Sequence, residues 1–123
     1  HIGPPIVRAG LVQPISPAVA WERLVFVSGQ VPVVDGRPSA PDIGGQTDTA
    51  LDMIESILAR AGCTLADVVK VTVWLTDAAD YPGFNAAYAR RFSAATAPAR
   101  STVISGLIAP VKVEIEAVAV RGG

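Results

Sequence analysis

Histidine is missing from the interior of this chain, and cysteine occurs only once, as Cys63. Without an internal histidine there is no Ser-His or Cys-His dyad and no histidine metal ligand. Proton transfer would therefore fall to carboxylates, tyrosine, lysine or water. A single cysteine forms neither an intrachain disulfide nor a thiolate metal site, and we interpret Cys63 as a small buried hydrophobe in a cytoplasmic protein.

Charge is also scarce, since Asp, Glu, Lys and Arg make up 17% of the residues, against roughly a quarter in typical soluble domains. The 10 basic and 11 acidic residues are spread along the chain without a basic block, which argues against a nucleic-acid partner. No run reaches the roughly 18 apolar residues that a membrane span needs, so we expect no membrane partner. Half of the residues are hydrophobic, which favours oligomerisation.

The length of 123 residues suits one domain. We expect residues 1–13 to be an extended, proline-containing segment, and we interpret His1 as a remnant of expression or processing. No signal peptide is expected, because a basic start followed by an apolar run is missing.

Hydrophobic periodicity predicts two helices. The first covers residues 42–61, with Asp42 as N-cap, Gly62 as the stop, and Gln46 outside the apolar stripe. The second begins after Asp80 and ends near Ala94.

Strands are predicted at residues 18–20, 23–28, 68–75, 100–107 and 111–121. The strand at 23–28 is apolar on both faces and is expected to be buried on both. In the strand at 68–75, Val69, Val71, Val73 and Leu75 should share one face. The last strand has a second face that begins charged and ends apolar, at Val118 and Val120. We therefore expect an α+β two-layer sandwich whose open sheet face is covered in an oligomer.

Arg100 and Glu114 are the strongest candidates for chemistry. Arg100 could clamp a carboxylate through paired hydrogen bonds, or it could form an ordinary rim salt bridge. Glu114 could activate a water, or it could belong, with Lys112 and Glu116, to a solvated strand end. The spacing suggests that Arg100 and Glu114 lie on adjacent antiparallel strands.

The remaining candidates are weak individually. Asn85 would normally be a surface residue, Gly29 with Ser28 would normally mark a bulge or turn, and Thr102 is an ordinary strand residue. No phosphate-binding glycine loop and no cluster with metal-ligand spacing is present in the sequence.

Six segments together resemble the Rid family, the YjgF-like reactive-intermediate deaminases that have also been labelled translation inhibitors or L-PSP endoribonucleases. The resemblance covers residues 14–121, and its most specific parts are Pro-Ala-Arg-Ser at 98–101 and Glu-Ile-Glu-Ala at 114–117. The other segments are Ser-Gly-Gln-Val-Pro at 28–32, Ala-Gly at 61–62, Val-Lys-Val-Thr-Val at 69–73 and Phe-Asn-Ala-Ala-Tyr at 84–88.

This resemblance implies a chorismate-mutase-like fold, with two helices on one face of a mixed sheet, and a homotrimer whose sheets form a barrel with clefts between subunits. It implies hydrolysis of enamines and imines, such as 2-aminoacrylate and its imine tautomer, to 2-keto acids and ammonia, without a metal or organic cofactor. Arg100 would clamp the carboxylate of a small substrate, and Glu114 would position the attacking water. The cleft would be lined by Ser28, Gly29, Asn85 and Thr102.

The chain departs from the deaminase pattern at the rim of this cleft. Ile15 stands where deaminase members have a tyrosine, and Thr102 stands where cysteine is common. The segment from Arg100 to Glu114 is about one residue shorter, and residues 108–110 read Ile-Ala-Pro. Three hypotheses follow: an imine deaminase, a non-catalytic trimer that binds small carboxylates, and the endoribonuclease of the older label.

Overall fold

A mixed sheet of five strands forms the centre of the structure, a computed structural model that describes residues 1–122. Its strands are β3 (Ala18–Trp21), β4 (Leu24–Gln30), β7 (Val68–Leu75), β8 (Ala99–Ile104) and β9 (Val113–Val120). The spatial order is β3-β4-β9-β7-β8. The β7–β8 pair is parallel, and the other pairs are antiparallel.

Two small hairpins and two α-helices complete the fold. The hairpins are β1 (Val7–Arg8) with β2 (Leu11–Val12), and β5 (Val33–Val34) with β6 (Arg37–Pro38). The helices are α1 (Ile43–Arg60) and α2 (Tyr81–Ala89). This arrangement confirms the predicted α+β class with two helices and a mixed sheet.

Helix α1 matches its prediction at both ends. Asp42 is the N-cap, since its carboxylate accepts a hydrogen bond of 3.0 Å from the Gly45 N–H. After the helix, Gly62 adopts φ +75°, a left-handed conformation that glycine tolerates without strain. The predicted apolar stripe of α1 is buried in the core, as Ala50, Leu51, Ile54 and Leu58 show.

Gln46 was wrongly placed outside this stripe, because it is 2% exposed. Its Nε2 donates to the Ala40 carbonyl at 2.9 Å, and its Oε1 accepts from the Lys112 N–H at 2.8 Å. The amide thus satisfies two backbone groups on different segments, which is why a polar side chain is stable at this buried position. It also fixes the backbone just before β9 begins.

Helix α2 is shorter than predicted, since it ends at Ala89 rather than near Ala94. The Arg90 N–H bonds to the Ala87 carbonyl and the Arg91 N–H to the Tyr88 carbonyl, so a tight turn closes the helix. Phe92 remains packed on Tyr88 after this turn, with ring centroids 4.7 Å apart. The spacing of Phe84, Tyr88 and Phe92 suggested a longer helix, but Phe92 reaches Tyr88 from a turn that follows the helix.

Two predictions about sheet faces are wrong for the single chain. On β4, Val25 and Val27 are buried under the helices, but Leu24 and Phe26 on the other face are 36% and 44% exposed. On β7, the pairing with β9 shifts register between Val68 and Lys70, which is typical of a bulge. This irregularity buries Val68 and leaves Val69 exposed.

The predicted neighbourhood of the last two strands is also wrong. Strands β8 and β9 are not adjacent, because β7 lies between them, parallel to β8 and antiparallel to β9. They are also shorter than expected, and residues 105–112 form a connection without strand structure. This connection is long enough for the chain to cross from one side of β7 to the other. A tight hairpin would instead have placed β8 and β9 directly beside each other.

The sheet face opposite the helices carries a continuous apolar region at the β3–β4–β9 end. Phe26 pairs with Val19 on one side and Val118 on the other, and Leu24 pairs with Val120. Val19, Leu24 and Phe26 are all more than a third exposed. Within residues 1–122, no helix is both long and apolar enough to cross a membrane.

Candidate active site

Arg100 is held at the edge of the sheet by the first turns of α2. Its Nη1 donates to Asn85 Oδ1 at 3.0 Å, and its Nη2 donates to the Tyr81 hydroxyl oxygen at 2.9 Å. These two acceptors are neutral, so they fix the orientation of the guanidinium without cancelling its charge. The arrangement leaves further N–H donors for a ligand.

Aromatic rings support the same guanidinium. Its Cζ lies 4.6 Å from the ring centroid of Tyr88, 5.3 Å from that of Phe84 and 5.8 Å from that of Tyr81. Such contacts favour a cation through the negative faces of the rings. Burial raises the pKa of the Tyr88 hydroxyl, and the positive charge of Arg100 opposes that shift.

No carboxylate neutralises Arg100 within the described part of the chain, where the salt bridges involve Arg90, Arg91 and Lys112 instead. The rim salt bridge considered from the sequence is therefore absent here. Arg100 is only partly exposed yet keeps its charge available. Such a group is suited to bind an anion, and a carboxylate matches its planar donor geometry.

Glu114 lies at a second place, in a groove of about 910 Å³. The polar part of the groove contains Ser28, Gly29, Gln30, Glu116 and Arg8 beside Glu114. Apolar side chains form much of the rest of the lining: Ile6, Ile15, Val31, Val33, Met53 and Ile108. A smaller cavity of about 340 Å³ near the end of α2 contains none of the predicted site residues.

Gly29 has no side chain at the place where the Glu114 carboxylate lies. A Cβ at this position would overlap Glu114 Oε2. The backbone of Gly29 lies where β4 shifts register against β9, between Val27 and Gln30. Ser28 donates its hydroxyl proton to the Ser16 carbonyl at 2.6 Å. The hydroxyl oxygen of Ser28 still has acceptor capacity, but its proton is already used.

The pKa of Glu114 is raised, chiefly because burial disfavours its charged form. The nearby charge of Glu116 raises it further, and the charge of Arg8 lowers it. A carboxylate with a raised pKa is a stronger base than an ordinary glutamate, so Glu114 is suited to accept a proton from water.

Arg100 and Glu114 are not brought together within one chain. Arg100 pairs with the buried Val71 and faces α2, whereas Glu114 pairs with Trp74 and lies between the buried Val113 and Ile115. Because side chains alternate along a strand, the two residues are on opposite faces of the sheet. The six predicted residues thus fall into two groups: Arg100, Asn85 and Thr102 near α2, and Glu114, Ser28 and Gly29 in the groove.

Thr102 has the weakest structural support among the six predicted site residues. It is partly buried and pairs with Val73, so it lies on the same face of β8 as Arg100 and two residues farther along. Its side chain forms no hydrogen bond with any of residues 1–122.

The contribution of Tyr81 was missed by sequence reasoning. The Asp-Tyr-Pro sequence indicated only where α2 begins, and the aromatic residues Phe84 and Tyr88 indicated only its buried face. A sequence signal did exist, because Tyr81 and Asn85 are four residues apart and therefore share one helix face. That spacing alone did not show that the face meets Arg100.

The sequence and the fold are similar to those of known proteins. The family profile described as "Endoribonuclease L-PSP" matches residues 7–121. The chain is 38% identical over 114 residues to the 2-iminobutanoate/2-iminopropanoate deaminase of Escherichia coli K12, covering 89% of each chain. It is 40% identical over 115 residues to a RutC family protein of Haemophilus influenzae, covering 89% of this chain and 88% of that protein.

Solved structures give the same result. The YjgF gene product of E. coli superposes with a TM-score of 0.80 at 34% identity, covering 91% of each chain. Yeast Mmf1 superposes with a TM-score of 0.85 at 32% identity, covering 98% of this chain and 94% of that one. The chain therefore belongs to the L-PSP family, the YjgF/RidA-like group, which confirms the resemblance found in the sequence.

Proposed function

We propose that the protein hydrolyses reactive enamine and imine intermediates, of the 2-aminoacrylate and 2-imino acid type, to 2-keto acids and ammonia. Water adds across the C=N bond of the imine, and the C–N bond of the resulting carbinolamine then breaks. One water is consumed and one ammonia is released, so the reaction needs no oxidant or reductant. The deaminase name of the E. coli relative supports this choice of reaction.

The observation that carries the proposal is the state of Arg100. Its guanidinium is oriented by Asn85 and Tyr81 and packed on aromatic rings, and it has no carboxylate partner among residues 1–122. A 2-imino acid supplies the missing carboxylate. Binding it at Arg100 would fix the position of the adjacent imine carbon for attack.

Glu114 is assigned the role of general base. Its raised pKa suits it to take a proton from the attacking water and to return a proton to the leaving nitrogen. The missing side chain of Gly29 leaves room for this carboxylate, and Gly29 is proposed to line the cleft beside it. Ser28, Asn85 and Thr102 are proposed to line the cleft around the bound molecule.

The active unit is proposed to be a homotrimer with a cleft at each subunit boundary. Arg100 and Glu114 are on opposite faces within one chain, so a site that uses both needs two chains. The exposed Val19, Leu24 and Phe26 provide an apolar surface that a neighbouring subunit could cover. A cytoplasmic location stays a prediction from cysteine usage.

A non-catalytic trimer that binds small carboxylates is the second candidate. The observation that favours it is the position of Ile15, which lines the groove beside Glu114 and offers no hydrogen bond there. Under this alternative the Arg100 site would work, but Glu114 would have no water to activate. The family description also names endoribonuclease activity, and cleavage of RNA abolished by Glu114→Ala would support that third possibility.

The test is imine hydrolysis coupled to an amino-acid oxidase, which produces imines from a series of amino acids while a trap measures the imine that remains. Wild type should accelerate imine loss, and Arg100→Ala should not. Ser101→Ala is the matched control, because Ser101 neighbours Arg100 but contacts Lys70. Carboxylate binding without any acceleration would favour the second candidate and contradict the deaminase proposal.

A further inference from the structure

Tyr81 has a hydroxyl group that is only partly used. Its oxygen accepts the 2.9 Å hydrogen bond from Arg100 Nη2. Its own proton is donated to no acceptor in the part of the chain that the structure describes. Tyr81 is 41% exposed, so a ligand can approach its side chain. The other tyrosine differs, because the Tyr88 hydroxyl is buried and has no hydrogen-bond partner among residues 1–122.

We propose that the Tyr81 hydroxyl is a second donor of the anion site, so that a carboxylate bound to Arg100 also accepts a hydrogen bond from Tyr81. The inference rests on the proposed function only in taking Arg100 as the carboxylate clamp. It adds a substrate-contacting residue and assigns to that residue a preference for anions over neutral analogues.

The geometry behind this inference is the short distance between the two donors. A carboxylate oxygen within hydrogen-bond distance of Arg100 Nη2 lies close to a hydroxyl oxygen that is 2.9 Å from the same nitrogen. A carboxylate has two oxygens with several lone pairs, so it accepts from an N–H and an O–H together. An O–H donor to a charged oxygen forms a short, strong hydrogen bond.

The phenol is also held in place. Tyr81 is the first residue of α2, and its ring lies 6.3 Å from that of Phe84, centroid to centroid. Its bond to Arg100 further restricts the hydroxyl. Asn85, one helical turn later, holds the other nitrogen of the guanidinium through its carbonyl oxygen. The hydroxyl is therefore oriented before a ligand arrives, which lowers the entropy cost of binding.

The experiment compares binding of pyruvate with binding of pyruvamide, its neutral analogue, by titration calorimetry. Tyr81→Phe keeps the ring and removes only the hydroxyl, so we expect pyruvate affinity to fall about tenfold, as for loss of a hydrogen bond to a charged group. Pyruvamide affinity should change little. Ser101→Ala removes a hydroxyl from the other face of β8 and should leave both affinities unchanged.

A second variant separates donation to the ligand from mere positioning of Arg100. Replacing Tyr81 by 3-fluorotyrosine strengthens the hydroxyl as a donor and weakens it as an acceptor, and the titration is run at a pH where the phenol stays protonated. Tighter pyruvate binding supports the proposal. Weaker binding would mean that the hydroxyl acts only by accepting from Arg100, and would overturn it.

The outcomes also separate this inference from the proposed function. If wild type and Tyr81→Phe bind pyruvate equally while Arg100→Ala does not bind it, the Tyr81 proposal fails and the clamp stands. If wild type binds no pyruvate, both the clamp and the Tyr81 contact are contradicted.

Discussion

Arg100 and Glu114 lie on opposite faces of one sheet, with β7 between their strands. Arg100 pairs with Val71 across the parallel β7–β8 ladder, and Glu114 pairs with Trp74 across the antiparallel β7–β9 ladder. A clamp and a base that are separated in this way cannot act on one small molecule within a single chain. Under the proposed function, each chain contributes two half-sites, one at Arg100 and one at Glu114, and this relationship determines how the proposals can be tested.

Gly29→Ala tests the half-site around Glu114. The added Cβ would overlap Glu114 Oε2, so the carboxylate must move, although the backbone of Gly29 is compatible with alanine. A displacement of about 1 Å in a catalytic group lowers activity by roughly 100-fold, which is the loss we expect in kcat/KM. Pyruvate binding should be affected much less, since the added methyl group displaces the Glu114 carboxylate and not the guanidinium of Arg100.

Gly106→Ala is the matched control for this substitution. Apart from Gly106 and its two chain neighbours, no atom of residues 1–122 lies within 4 Å of a Cβ built there, and its φ is outside the left-handed region. Its activity should equal that of wild type. Full activity in Gly29→Ala would show that the position of Glu114 does not matter for the reaction.

Glu116→Gln tests the electrostatic environment of Glu114. The charges near Glu114 in the groove are Glu116, on the same strand, and Arg8, on β1. Removing the negative charge of Glu116 should lower the pKa of Glu114, because a like charge disfavours ionisation. A base must be deprotonated to act, so the acid limb of the kcat/KM profile should move to lower pH. Arg8→Gln should move it to higher pH.

Glu114→Gln should stabilise the protein at neutral pH. The folded-state pKa of Glu114 is raised, so its contribution to stability is present below the unfolded-state pKa and is lost as pH rises through the folded-state value. Glutamine stays neutral and avoids this loss. The melting temperature of the variant should exceed that of wild type at pH 7, and the difference should shrink in acid. A wild type that is more stable at both pH values would contradict this assignment.

Gln46→Leu should destabilise the fold. The substitution leaves the partly buried Ala40 carbonyl and Lys112 N–H without their Gln46 partners, which costs about 2 kcal/mol in the free energy of unfolding. Urea titration measures the change. In the control, Gln13→Leu removes only a bond to the Leu11 carbonyl two residues away, and its effect should stay within about 0.5 kcal/mol.

The sequence predicted local structure well where one element carries its own signal. Helix α1 has a capping aspartate, a regular apolar stripe and a terminal glycine, and its observed limits follow from them. The bulge that exposes Val69 left no such signal, because Val68 and Val69 are the same residue type. Likewise, Gln46 has the polarity of a surface residue, and only the backbone groups that it meets explain its burial.

Strand order could not be obtained from the same local patterns. Strands β8 and β9 are consecutive in the chain, and consecutive strands often pair, but β7 separates them here. The family resemblance identified Arg100 and Glu114 as the residues to examine. It did not reveal that α2 supplies Tyr81 as a partner of Arg100, since that contact joins residues 19 positions apart.

Mixing two inactive variants tests whether the half-sites combine across a subunit boundary. Arg100→Ala keeps its Glu114 half-site, and Glu114→Gln keeps its Arg100 half-site, so a cleft between one chain of each type can contain both intact groups. For randomly mixed homotrimers with one cleft per boundary, about a quarter of the clefts would be complete. We therefore expect co-refolded variants to recover up to about that fraction of wild-type imine hydrolysis.

The control for mixing is the double variant Arg100→Ala/Glu114→Gln, mixed with wild type in the same ratio. The double variant contributes no intact group to a cleft, so only clefts between two wild-type chains are complete, which is again about a quarter, and this mixture should match the mixture of single variants. About half of the wild-type activity would instead mean that each site lies within one chain. Mixtures of the single variants that stay inactive, although mass measurements show mixed trimers, would contradict a site shared between chains. Each single variant refolded alone should remain inactive, because no cleft in its trimers contains both Arg100 and Glu114.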